Sequence, residues 1–189
     1  MVKSLNDHWS IGAEVSAGSS KFRNQDFAAR INPAVEYNLY PYSQSTRHQL
    51  AFRYGIGVHT ANYIDTTIYG KLAETHPIQR LVVAPSMQQS WGGIEGSATY
   101  SQFLHDLSKR NLQLFGSINW RIVAGLSFNF FGEYEQIRDQ LYLPKGELTG
   151  QDVLIRLRQL QTGYSYFFGA GLSYTFGSIF NSVVNPRFP

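Results

Sequence analysis

The sequence predicts an all-β chain, a transmembrane up-and-down antiparallel β-barrel of about eight strands. Three observations predict it. Apolar residues recur at every second position in a series of runs that covers most of the chain. Large aromatic residues sit at corresponding ends of those runs. The face opposite the apolar one carries acids and arginines in near balance, and no lysine.

The first run places Trp9, Ile11, Ala13, Val15 and Ala17 on one face, and the second places Phe27, Ala29, Ile31, Pro33, Val35, Tyr37 and Leu39. The third has Leu50, Phe52, Tyr54, Ile56 and Val58; the fourth has Leu81, Val83, Pro85, Met87 and Trp91. The fifth has Ile94, Gly96, Ala98 and Tyr100, and the sixth has Leu112, Leu114, Ile118, Trp120 and Ile122. The seventh, LSFNFFGEY, has Leu126, Phe128, Phe130 and Tyr134, and the eighth runs from Tyr164 through Phe168 and Leu172 to Phe176. A period of two is the period of a half-buried strand. The connections after the second, fourth and sixth runs are the shorter ones, with Gly92-Gly93 expected to join the fourth to the fifth. They would lie at one end, and the longer segments, among them TANYIDTTIYGKLAETHP and the stretch after the seventh run, would gather at the other.

Composition removes several functions. The 189 residues suffice for a single domain, 1–189, whose last residues, 177–189, read as a short periplasmic tail. The absence of cysteine excludes disulfide frameworks, thiolate metal sites and thiol nucleophiles. A net charge of +3 without any Lys/Arg run argues against nucleic acid as a partner. No apolar stretch reaches the ~18 residues of a spanning helix. The start MVKSLNDHW lacks the apolar core of a signal peptide, as in a mature chain without its leader or in a cytosolic one.

The polar face decides which side is inside. It holds Glu14, Arg30, Glu36, Arg53, Arg80, Glu95, Arg121, Glu133 and Glu135, interleaved with Ser, Asn, Gly and His59. On a soluble sheet this would be the water face, and the chain would be a lipocalin-like ligand-binding barrel or a sandwich. In a membrane barrel the assignment inverts, so that aromatics meet lipid and charges fill the lumen. Trp9, Trp91, Trp120, Tyr174 and Phe176 all fall at the short-turn end, as an aromatic girdle would. An eight-stranded lumen is only wide enough for side chains to fill it. The nine charged residues are therefore expected to form a polar network that plugs the lumen, helped by Phe115, Phe131 and Phe167, which point inward by parity. A narrow pore is the alternative within membranes.

The stretches SQFLHDLSKRNLQLFGS, IRDQLYLPKG and GLSYTFGSIFNSVVNPRF resemble a mostly uncharacterised outer-membrane β-barrel family of Gram-negative bacteria. The likeness is most specific from Trp91 to Phe188. It implies a small eight-stranded barrel in the bacterial outer membrane, with the lipid bilayer as its surroundings. Gly171, Tyr174 and Phe176 resemble the last-strand signal read by the barrel assembly machinery, although here a tail follows that strand. The resemblance brings no activity.

Chemistry is sparse. The five histidines form no paired metal-ligand spacing, and no metal or other cofactor is expected. Ser101, His105, Asp106 and Ser108 offer the one arrangement from which a rim enzyme acting on lipid could be built. A hydrogen-bonded turn is the simpler reading. The expected molecule is a monomeric barrel whose long loops carry a structural or surface-interaction role.

Overall fold

The computed structural model describes residues 2–145 and 163–175. It is one antiparallel sheet of nine strands in sequence order: β1 (Val2–Ser4), β2 (Trp9–Ser20), β3 (Gln25–Asn38), β4 (His48–Tyr63), β5 (Ala73–Gln89), β6 (Gly92–Phe103), β7 (Arg110–Val123), β8 (Leu126–Ile137) and β9 (Gly163–Tyr174). Among the described residues the only helical pieces are two short 3₁₀ turns, Lys21–Arg23 and Tyr42–Gln44. Each of the eight runs falls mainly on one of the strands β2 to β9, with Leu39 and Trp91 just past their strand ends and Phe176 outside the described residues. The ninth strand is β1, three residues long, which pairs with Ser10–Gly12.

Alternation sets the register. On β4, Ala51, Gly55 and Gly57 are buried while Phe52, Tyr54, Ile56 and Val58 are exposed. The two faces of each strand are thus chemically different, and the polar face is the concave one. A single cavity is lined by Ser16 of β2, Arg30 of β3, His59 of β4, Arg80 of β5, Ser101 of β6, Gln113 of β7 and Glu135 of β8, so the sheet curls around it. The curl brings the β2–β3 turn to the segment after β8, where the Arg23 guanidinium lies 6.0 Å from the centre of the Tyr142 ring.

The expected closure does not follow. β9 is hydrogen-bonded to β8 alone among the described strands, and the sheet ends there as an open edge. β2 is paired on its far side over Ser10–Gly12 only, so its later residues form the other edge. Consequently Phe115, Phe131 and Phe167 face inward but stay exposed, Phe167 at 60 %, because no strand covers that part of the inner face.

Strand ends also differ from the sequence reading. β4 continues to Tyr63 and β5 starts at Ala73, so much of the expected long loop is ladder, with Thr60 opposite Thr75 and Ala61 opposite Glu74. The turn between β5 and β6 is Ser90-Trp91, and Gly92-Gly93 belongs to β6. Gly92 (φ +141°) is the one place there where a side chain could not fit, because a Cβ would meet the Asn119 carbonyl of β7.

Close packing is concentrated on the inner face of β3 and β4. Asn32 is 2 % exposed and lies over Gly55 and Gly57. A Cβ at Gly57 would collide with the backbone carbonyl of Ile31. Gly57→Ala is therefore expected to destabilise the folded chain by about 1–3 kcal/mol. Gly18→Ala, where a Cβ meets nothing within 4 Å, should stay within ~0.5 kcal/mol of wild type. Urea midpoints of the two variants check this.

Candidate functional site

The interior divides into an ion-paired half and an open half. Glu14, on β2, receives Arg53 Nη1 at 2.8 Å through Oε1 and Arg80 Nη1 at 2.8 Å through Oε2. Arg53 turns its Nε and Nη2 to Glu36 Oε2 at 3.0 and 2.6 Å. Four consecutive strands, β2 to β5, are thereby tied by two carboxylates and two guanidiniums. Arg80 can cross the sheet to Glu14 because the intervening β4 presents Gly55 and Gly57 instead of side chains. Arginine suits these positions, since its fork can serve two carboxylates at once.

The other charged residues of the polar face lie elsewhere. Glu135 accepts from Asn111 Nδ2 at 2.8 Å and Gln113 Nε2 at 3.0 Å, both neutral donors. Glu95 has Ser86 and Ser117 as its cross-strand neighbours, Glu133 has Phe115 and Phe167, and Arg121 has Ser127. None of these three makes an ion pair among the described residues: parity places them on the right face, but the register gives them no charge opposite. Arg30, beside His59 on β4, also makes no ion pair there. A single network of all nine charges is not what the register builds.

Above the ion pairs, toward the longer connections, the curled sheet holds a cavity of about 460 Å³. Part of its lining is apolar: Ile78, Phe103 and Leu141 are buried against one another. Leu141 comes from the segment after β8, which is held by pairing with the β4–β5 connection. Ile68 N donates to Leu143 O at 2.8 Å, Lys145 N to Thr66 O at 2.8 Å, and Thr67, fully buried, bridges to Pro144. The β2–β3 turn is locked to the same connection by Asn24, whose side chain donates to Asp65 O and accepts from Asp65 N, each at 2.8 Å. Asn24 adopts φ +52°, a left-handed conformation that Asn tolerates. Asp139, in this cap, is half-buried, and its partial desolvation raises its carboxyl above the ordinary range.

The candidate rim chemistry does not assemble. Ser108 donates its hydroxyl to Asp106 Oδ1 at 2.7 Å and its N–H to the same atom at 3.0 Å, a turn cap that holds the Asp106 carboxyl below its usual range. The His105 ring stacks on His76 at 3.6 Å, and His76 Nε2 meets Glu74 Oε2 at 2.8 Å. No Ser–His hydrogen bond exists among the described residues, and no group of three or more His and acidic residues there could hold a metal ion.

No family model, no curated protein and no solved structure matches this chain.

The convex face carries the apolar residues. Val15 is 71 % exposed and Leu172 70 %, and Ile31, Val35, Phe52, Ile56 and Leu81 are exposed with them. At the short-turn end, Trp9, Trp91, Trp120 and Tyr174 are all exposed, with Trp9 packed on Tyr37 at 4.9 Å. Gly171 lies on the inner face of β9, opposite Asn129; Phe176 and the tail 177–189 fall outside the described residues. Toward the other end the outer face turns polar. Tyr54 Oη donates to Gln79 Oε1 at 2.9 Å, Gln79 Nε2 to Gln102 Oε1 at 2.6 Å, and Thr60 and Thr75 bond each other at 2.8 Å.

Two expectations follow. Arg53→Met leaves Glu36 without an ion pair and Glu14 with Arg80 alone in a half-buried interior. It should cost about 1–3 kcal/mol, between the values for exposed and for buried pairs, whereas Arg121→Met should cost less than ~0.5 kcal/mol. A double-mutant cycle with Glu14→Gln measures the coupling. Asp139→Asn should raise stability near neutral pH. The raised carboxyl makes the folded state less stable wherever Asp139 is ionised, so the gain should vanish as pH falls below about 4. Melting temperatures of the two proteins across pH check the sign.

Proposed function

We propose that this chain is a small integral barrel of a bacterial outer membrane, with a polar, largely filled interior and a structural or surface-interaction role carried by its longer connections. The observation that carries the reading is the inversion of faces. Ion pairs occupy the concave side, and the convex side carries an apolar belt. An exposed apolar surface of that extent marks a surface made to be covered. Lipid is the covering that suits a belt running along every strand.

The dimensions support it. On β5 the outer face is apolar between Gln79 and Gln89, about ten residues or ~33 Å along the strand. At a strand tilt of ~40° that spans ~25 Å, the height of the apolar band of such barrels. Trp9, Trp91, Trp120 and Tyr174 bound the belt at one end, and on β5 and β6 the hydrogen-bonded Gln79 and Gln102 bound it at the other. That is the placement of amphipathic groups at two headgroup levels.

Closure belongs to the same reading. Lipid offers no hydrogen bonds, so neither open edge is tolerable inside a bilayer. β2 and β9 run antiparallel, and their pairing on insertion would satisfy both edges. It would also bring Phe115, Phe131 and Phe167 into the lumen, so the barrel would conduct poorly. In this account the last strand, with Gly171 and Tyr174, is what the assembly machinery engages.

The chain should refold to a monomer only in detergent or lipid and should migrate differently before and after boiling. A stable monomer in plain buffer would overturn the membrane reading. Closure is checked separately by placing Val15→Cys with Tyr164→Cys, Tyr166→Cys, Phe168→Cys or Ala170→Cys in turn. One of the pairs should crosslink in lipid, and none should in urea.

A further inference from the structure

The cavity beneath the loop cap is not accounted for by a filled barrel, and its chemistry is uneven. Its carboxylates mostly have partners: Glu74 has His76 and Tyr63, Glu135 has Asn111 and Gln113, and nearby Glu14 has Arg53 and Arg80. Its guanidiniums are less fully met: Arg80 reaches Glu14 through Nη1 alone. The Nε atoms of both Arg30 and Arg80 are buried with no hydrogen-bond partner among the described residues, and Arg30 makes no ion pair there at all. The two arginines lie close enough to repel each other. A buried donor without an acceptor costs stability, and a buried unpaired charge costs more. Those Nε atoms have no accessible surface, so an acceptor in the cavity would meet the outer nitrogens of the guanidiniums, and Arg30 lines the cavity with no ion pair to satisfy them.

The apolar residues that share the lining limit what could fill it. Ile78, Phe103 and Leu141 form an apolar surface at the capped end. The volume, about 460 Å³, falls within the range of small-molecule sites. We infer that this cavity binds a small organic acid, its carboxylate between Arg30 and Arg80 and its apolar body against Phe103, Ile78 and Leu141. The ligand is not a bare oxyanion, which would leave that surface unused, nor a neutral apolar molecule, which would leave the guanidiniums unanswered. Asp139 faces the same cavity and opposes the ligand's charge. The site lies inside the curled sheet whether the convex face meets lipid or water, so this inference stands apart from the membrane reading.

Benzoate serves as the probe, titrated calorimetrically into the folded full chain, with benzyl alcohol and inorganic phosphate in parallel. Benzoate should bind saturably and raise the melting temperature, and the other two should bind at least tenfold more weakly. Arg30→Gln removes an unpaired cation, so it should fold at least as stably as wild type while losing roughly tenfold or more in benzoate affinity, the loss of one charge-assisted contact. Asp139→Asn should bind benzoate more tightly. Absence of saturable benzoate binding, equal affinity for benzyl alcohol or phosphate, or unchanged affinity in both variants would overturn the assignment.

Discussion

Glu14 holds two arginines from two different strands, and the curvature of the sheet depends on that grip. Its carboxylate lies at 2.8 Å from Arg53 on β4 and 2.8 Å from Arg80 on β5. Strands sit about 4.8 Å apart, so the second bridge spans three strand spacings. Such a reach is served by a sheet that bends toward its charged face and by glycines that clear the path. Once the charged face is concave, the apolar residues have only the convex side left. The small buried cluster of Ile78, Phe103 and Leu141 shows how little apolar surface the inside takes.

That inversion governs the rest of the molecule. A chain whose ladder is polar inside and apolar outside is folded by its register and its ion pairs more than by a conventional core. Asn32 over Gly55 and Gly57 and the Glu14–Arg53–Glu36 chain supply the packing that an interior leucine layer would supply in a sandwich. The loop end is tightened separately, by Asn24 on the Asp65 backbone and by the pairing of Thr66–Ile68 with Leu143–Lys145. At the short-turn end, Ser90-Trp91 and Ala124-Gly125 are tight turns, with Gly125 at φ +83°, but the β3–β4 connection there, 39–47, is longer than the sequence reading expects and carries a 3₁₀ turn.

The period of two is legible because β2 to β9 are amphipathic along the apolar belt, and residues such as Phe52, Tyr54 and Ile56 alternate with Arg53 and Gly55. The ends of β4 and β5 are not legible, because Thr60, Asn62 and Thr75 make the outer face polar where the ladder leaves the apolar belt. β1 escaped for lack of length: three residues carry no period. Parity identified the charged face, but the pairs within it depend on register and curl. Arg53 and Arg121 look alike in sequence; one lands between two carboxylates and the other opposite Ser127. Leu141, which caps the cavity, gives no local signal, since its burial follows from loop pairing far along the chain. Closure was expected from the strand pattern alone, yet an edge pair is not encoded in alternation, and β9 stands unpaired on its outer side among the described strands.

The claim on which the account rests is that the convex face meets lipid, and tryptophan depth measures it most directly. Single-tryptophan variants that keep Trp9, Trp91 or Trp120 in turn would be refolded into bilayers whose acyl chains carry bromine at a shallow or a deep position. The account predicts quenching of all three by the shallow bromines, weaker quenching by the deep ones, and a common depth, because all three sit at the short-turn end of the belt. Emission untouched by either lipid, or quenched instead by iodide in the surrounding water, would contradict it.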